Sequence, residues 1–379
     1  MGRLYRIAVF TNLLTLLGLP SIRAASAWNG IEEHAQSIFE RINPFVVGVT
    51  VKPQPKESLA IDLSTVGSGR TIQSVVTSPE GGWKEYLKTL RQRERIATGL
   101  IVHPEGYILT TASVIRSLTS ESALITLADG TVAPATPVAQ DPFTNLAMLK
   151  VDREFDKALN FGDSDRLKIG SVVLGVARPY GRANSLFMGI VSNVRQELGQ
   201  TRYEDLIQTS VPLHPGSIGG ALVNQDGEVV GMLSTTQKQE SWPELSFAIP
   251  SRMLQFVTEE MITHGSVTRG FLGVWVYPLT PELRQEKQLP PTLQGVMVTK
   301  LVPEGPAARG GLELGDVITH FNKKEIRSYQ QLIYQTAVAR PGEAIPVRAW
   351  RAGKIQDYAV TLAELSRGPQ PPRTKSDSD

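Results

Sequence analysis

The sequence predicts a mainly β protein: one large all-β unit of barrel or sandwich type, then a smaller α+β domain. Three observations predict it. From Ala97 to Ala248 short apolar runs alternate with turns, the spacing of many short strands. Asp129-Gly130 and Asp226-Gly227 supply hairpin turns, whose backbone tolerates positive φ. After a polar linker, 263–269, the pattern restarts at Gly270 with strands and a helix mixed. A chain of 379 residues accommodates two or three such units.

The elements follow in order. Arg3 and Arg6, the mostly apolar stretch Ile7 to Ile22, and Ala25-Ser26-Ala27 read as an export signal cleaved after Ala27. A retained membrane anchor is the alternative, but Thr11, Asn12 and Thr15 interrupt a run already shorter than a span needs. Ile31, Ala35, Ile38, Phe39 and Ile42 share a helical face, and Phe45 to Val51 reads as a strand. Pro53 to Arg95 reads as a surface insertion, with Trp83 to Arg95 helical. Strands are expected at Ala97–Val102, Tyr107–Thr111, Ala123–Leu127, Leu146–Val151, Val172–Ala177, Gly189–Val194, Ala221–Val223, Val229–Ser234 and Leu245–Ile249. Ser251 caps a helix running to about His264, and the large unit spans 28–262.

The second domain, 270–365, holds strands at Phe271–Tyr277, Gly295–Leu301, Asp316–Phe321, Ile345–Arg351 and Gln356–Leu362. A helix is expected near Ser328–Val338. Ser366 to Asp379 is a polar tail with nothing to bury.

Composition narrows the function. Lys+Arg 39 against Asp+Glu 37 argues against a nucleic-acid binder. Cys 0 removes thiol nucleophiles, iron–sulfur clusters and Cys-ligated zinc. His 5, none paired at ligand spacing, argues against a metal centre, and no cofactor is expected.

Several segments in order resemble the HtrA (Deg) family of exported trypsin-like serine proteases with C-terminal PDZ domains. They are Ala97-Thr98-Gly99-Leu100-Ile101-Val102, Gly106-Tyr107-Ile108-Leu109-Thr110, Asp141-Pro142-Phe143-Thr144-Asn145-Leu146-Ala147 and Gly162-Asp163-Ser164-Asp165. His214-Pro215-Gly216-Ser217-Ile218-Gly219-Gly220, Phe247-Ala248-Ile249-Pro250, Arg269-Gly270-Phe271-Leu272-Gly273-Val274 and Gly315-Asp316-Val317-Ile318 continue the series. The resemblance implies a trypsin-like pair of six-stranded β-barrels followed by one PDZ domain. It also implies a periplasmic or envelope location and a homotrimer formed through the N-terminal segment.

The same resemblance locates a catalytic triad and shows its loss. The histidine position holds Ser113, the aspartate position Asn145 and the serine position Ile218. A serine hydroxyl cannot take a proton near neutral pH as imidazole does. An Asp-to-Asn change at the orienting position of a serine protease costs about 10⁴ in rate. Ile218 has no nucleophilic atom. The reading is therefore a pseudoprotease. The backbone amides of Gly216 and Ile218 remain as an anion-accepting notch, unless the glycines serve only the turn. A relocated Ser217–His214 pair is the enzymatic alternative, and a structural subunit of a mixed oligomer is the third reading. His34, His103, His264 and His320 read as solvated or hydrogen-bonded, and Asp141, Asp163 and Asp165 as turn acceptors.

The PDZ-like domain keeps a peptide-binding pattern. Arg269, Gly270, Phe271, Leu272, Gly273 and Val274 form the loop expected to hold a terminal carboxylate, with Leu332 lining the pocket. The expected partners are unfolded or C-terminal peptide segments, or an active protease relative.

Overall fold

In the computed structural model, residues 19–51, 95–115, 123–196, 198, 203, 205–234 and 246–365 are described, with side chains from residue 30. The predicted insertion up to residue 94, the polar tail and most of the signal segment lie outside these residues; Arg95, expected to end a helix, instead opens a strand. The chain divides into two compact units. The first comprises residues up to 138, 146–194 and 207–254; the second comprises 139–145, 195–206 and 255 onward.

The first unit opens with helix α1 (Leu19–Ile42), so the helix expected from Ile31 is its C-terminal half. Ile38 and Ile42 are buried, as their spacing requires. Arg41 donates to the Asp226 carbonyl and the His34 ring meets the Gln225 carbonyl at 2.8 Å. These contacts fasten the helix to the Asp226-Gly227 turn.

Two closed six-stranded barrels follow. Strands β1 (Val46–Val51), β2 (Arg95–His103), β3 (Tyr107–Thr111), β4 (Ala123–Thr126), β5 (Val132–Asp141) and β6 (Leu146–Val151) close in the order β1-β2-β3-β6-β5-β4. Between β3 and β4 lies a single helical turn, α2 (Ala112–Ile115). Strands β7 (Val172–Ala177), β8 (Ser185–Gln196), β9 (Leu206–Thr209), β10 (Ala221–Val223), β11 (Val229–Ser234) and β12 (Ser246–Pro250) close as β10-β11-β12-β9-β8-β7. Alternate side chains fill each barrel: Val47, Val49, Ile101, Ile108 and Leu149 in the first, Val173, Val191, Leu222 and Leu233 in the second. β5 and β9 were not expected from the sequence. β5 carries Pro134 and Pro137 and alternates loosely, with only Ala135, Ala139 and Asp141 buried. β9 is four residues long. α3 (Ser251–His264) begins where Ser251 was expected to cap it, although the Ser251 hydroxyl instead donates to the Gly162 carbonyl at 2.6 Å.

The second unit carries β13 (Gly270–Phe271), β14 (Val274–Pro278), α4 (Pro281–Glu286), β15 (Val296–Leu301), α5 (Pro306–Arg309), β16 (Val317–Phe321), β17 (Lys324–Glu325), α6 (Tyr329–Val338), β18 (Ala344–Arg351), β19 (Lys354–Thr361) and β20 (Ala363–Glu364). The main sheet runs β14-β15-β16-β18-β19, with β17 on β16, and β13 pairs with β20. β14 is therefore an edge strand. The Ser328 hydroxyl caps α6 by accepting the Gln331 N–H. Val296, Ile318, Phe321, Leu332 and Ile345 form the core.

One residue links the two barrels within the first unit. Thr98 is fully buried on β2. Its N–H donates to the Ile218 carbonyl at 2.7 Å. Its hydroxyl donates to the Gly216 carbonyl at 2.7 Å and accepts the Arg178 N–H at 2.9 Å. Its carbonyl accepts the Thr110 hydroxyl at 2.8 Å. Thr98→Val keeps the shape and strands two buried backbone groups, each costing about 1–3 kcal/mol. The expected loss is about 2 kcal/mol or more, read as a lower urea midpoint. An unchanged midpoint would show that the hydroxyl links nothing of consequence.

Candidate functional site

The turn at 214–217 follows from its residues. Pro215 fixes φ, Gly216 takes φ +89°, and the Ser217 N–H closes on the His214 carbonyl at 2.9 Å, a type II turn. The Pro215 carbonyl accepts the Tyr180 N–H at 2.6 Å, and the Ser217 carbonyl accepts the Gly220 N–H at 3.0 Å. In a trans peptide the N–H points opposite to the C=O. The amides of Gly216 and Ile218 are therefore turned away from those anchors. The glycines are also required for space. A Cβ on Gly216 would lie 2.8 Å from the Tyr180 nitrogen, and one on Gly219, at φ +87°, 2.0 Å from the Thr98 carbonyl oxygen.

Ile218 is half-buried beside β2. Ser113, also half-buried, sits in α2 just beyond β3, and its hydroxyl donates to the Thr111 hydroxyl at 3.3 Å. Thr98 bonds Ile218 on one side and Thr110 on the other, so both positions lie at one end of β2 and β3. Asn145 belongs to the second unit and takes a left-handed φ of 58° directly before β6.

Ser217 is fully buried, and among the described residues its hydroxyl has no hydrogen-bond partner. The His214 ring instead lies beside the rings of Tyr180, at 6.3 Å, and Phe187, at 5.5 Å. Arg178, next to this turn, is buried as well. Its guanidinium reaches the Leu127 and Gly181 carbonyls and Asn184 Oδ1, each at 3.4 Å, and burial holds it below the usual arginine range. Two other histidines bond locally: His103 Nδ1 accepts the Glu105 N–H, and His320 Nδ1 meets the Thr319 hydroxyl.

In the second unit the loop after Arg269 is built differently from its sequence reading. Arg269 was expected to stand beside a bound carboxylate. Its guanidinium is buried and holds Asp141 in a two-point ion pair, Nη1–Oδ1 at 2.9 Å and Nη2–Oδ2 at 2.5 Å. Tyr203, at 4.8 Å, and Phe143 and Phe256, both at 5.8 Å, surround the charge. Asp141 accepts the Phe143 N–H too, as a turn acceptor should. Leu332, expected to line a pocket, is sealed in the core with Leu272, because the helix turns that side of α6 inward. Gly270 abuts the end of α6; a Cβ there would lie 2.5 Å from the Thr336 oxygen.

Two amides of the loop are nonetheless turned away from its anchors at Val302 and Ala307. The Leu272 carbonyl accepts the Ala307 N–H and the Gly273 carbonyl accepts the Val302 N–H, both at 2.9 Å. The N–H groups of Gly273 and Val274 point the opposite way. Gly273 takes φ +79°, and Val274 begins the edge strand. Phe271 is half-buried against β20.

The comparisons with known proteins agree with this architecture. Residues 97–232 match the trypsin-like peptidase domain and 270–362 the PDZ domain. A probable periplasmic serine endoprotease DegP-like of Ectopseudomonas mendocina (strain ymp) is 33% identical over 344 residues, 87% of this chain and 70% of that protein. The chain belongs to the HtrA/DegP family. A relative of the same name from Halomonas elongata is 34% identical over 274 residues, covering 72% of this chain. The match spans 57% of that protein, little more than half its length. Among solved structures, the HtrA-type protease AlgW with tripeptide superposes with TM-score 0.66 at 29% identity, over 89% of this chain and 98% of that one. The relatives are named as periplasmic, the location expected from the sequence. No helix among the described residues is long and apolar enough to cross a membrane.

Sequence reasoning missed the aromatic cage around Arg269 and the exposed face of β14. Phe143, Tyr203 and Phe256 are far apart in sequence and carry no shared motif. The alternation Val274-Trp275-Val276-Tyr277 was visible, with every second residue aromatic. Removing one partner of a buried pair costs about 3–5 kcal/mol. Asp141→Ala is therefore expected to destabilise this HtrA-type chain by that amount, with Asp141→Ala/Arg269→Met recovering part of it. A denaturation series in which the double variant is no more stable than Asp141→Ala would place the cost elsewhere.

Proposed function

We propose that this chain is a periplasmic HtrA-type protein without hydrolytic activity, which captures unfolded or C-terminal peptide segments. The observation that carries the reading is the identity of three residues. Ser113, Asn145 and Ile218 occupy the motif-matched positions of base, orienter and nucleophile. Burial of Ser217, with no base at its hydroxyl, argues against a relocated nucleophile. The surrounding turn survives because Thr98 and the glycine contacts demand it, independently of chemistry.

Peptide binding is assigned to the PDZ domain. The outward amides of Gly273 and Val274 suit a carboxylate, and the neighbouring edge of β14 suits strand addition. Similar solved structures of the HtrA-type protease AlgW are complexes with a tripeptide and with a decapeptide, which supports the same use here. A trimer follows from the family resemblance.

Two measurements test this reading on the full chain. Unfolded casein at about pH 7–8 is expected to remain intact, because no imidazole base is placed to act there. Peptides with a free, apolar C-terminus are expected to bind at roughly micromolar affinity and to weaken about tenfold on amidation, which removes a charge-assisted bond. Casein cleavage abolished by Ser217→Ala would instead establish a relocated nucleophile. Equal affinity for free-acid and amidated peptides would remove the carboxylate from the account.

A further inference from the structure

β14 offers more than an open edge. Trp275 and Tyr277 lie two apart and so share one face, and both are exposed, at 39% and 54%. Val274 and Val276 face the other way and pack on the core. The Lys300 ammonium stands 4.8 Å from the centre of the Trp275 ring, on the neighbouring strand where Trp275 pairs with Lys300. The opposite side of Trp275 borders the unpaired edge.

The backbone fixes what would come to lie there. The Trp275 carbonyl accepts the Thr299 hydroxyl at 3.2 Å, so the backbone of Trp275 is turned toward β15. Alternation turns the backbone groups of Val274 and Val276 toward the open edge. A peptide whose carboxylate meets the amides of Gly273 and Val274 must run antiparallel to β14. Its last residue then lies beside Val274 and its penultimate residue beside Trp275. Because Trp275 does not bond across that edge, the two form a non-hydrogen-bonded pair, in which opposed side chains approach most closely. Pro278 lacks an N–H and limits the ladder to the four residues before it.

We propose that Trp275 with Lys300 forms a side-chain subsite that selects peptides carrying an aromatic residue at the penultimate position and rejects lysine there. The inference rests on the reading that the PDZ domain takes a C-terminal peptide along β14. An aromatic ring meets the free side of the Trp275 indole; a lysine would place its charge beside Lys300.

The test uses the full chain and three N-terminally labelled peptides that differ only in the penultimate residue: phenylalanine, alanine or lysine. An amidated copy of each controls for carboxylate binding. The phenylalanine peptide is expected to bind about three- to tenfold more tightly than the alanine peptide, with lysine the weakest. In Trp275→Ala the phenylalanine and alanine peptides should come within about twofold of each other; Trp275→Tyr should keep the preference. These ratios rest on typical aromatic pair energies. Equal binding of all three free-acid peptides to the parent chain overturns the subsite and leaves the groove reading standing. Preference that persists in Trp275→Ala overturns it too. Failure of every peptide to bind, or no difference on amidation, overturns the groove reading and the subsite with it.

Discussion

Thr98 donates twice and accepts twice across the seam between the two barrels. One buried side chain and its own peptide groups hold the Gly216 and Ile218 carbonyls and the Arg178 N–H on the second barrel's side, and Thr110 on its own. The 214–220 turn, which carries the motif-matched position Ile218, is thereby held in shape by Thr98. Gly219 shows how tight this constraint is, since its Cα leaves no room for a Cβ beside the Thr98 carbonyl. Replacing the turn would unpair several buried groups.

Two kinds of constraint therefore separate in this chain. Packing and backbone hydrogen bonds preserve the barrels and the 214–220 turn. Chemistry would constrain the triad-matched positions instead, and Ser113, Asn145 and Ile218 stand there on the same scaffold. The PDZ domain differs. There, Trp275 and Tyr277 are exposed on one face of β14, while Val274 and Val276 pack on the core.

Much of this was legible in the sequence. The strands of both barrels that alternate cleanly or run continuously apolar were readable from period and turns, as were the Asp-Gly hairpins and the helix near Ser328–Val338. β5 was not, because Pro134 and Pro137 break the pattern and few of its side chains are buried. The loop 270–274 was readable as a glycine-bracketed turn, but the burial of Arg269 and Leu332 beside it was not. Arg269 was read as a ligand group because charge beside a loop is visible in sequence and its partner, 128 residues away, is not. Leu332 was read as a pocket wall for a similar reason: a helix has several apolar positions, and only tertiary packing decides which face inward.

The central claim is that the turn remains while no nucleophile does. Intact-mass measurement after exposure of the folded chain to an excess of a fluorophosphonate, which traps activated serines, tests it most directly. The account predicts an unmodified mass, because Ser217 is sealed and without a base and Ile218 cannot react. A single adduct mapping to Ser217, or to any serine of the barrels, would contradict it.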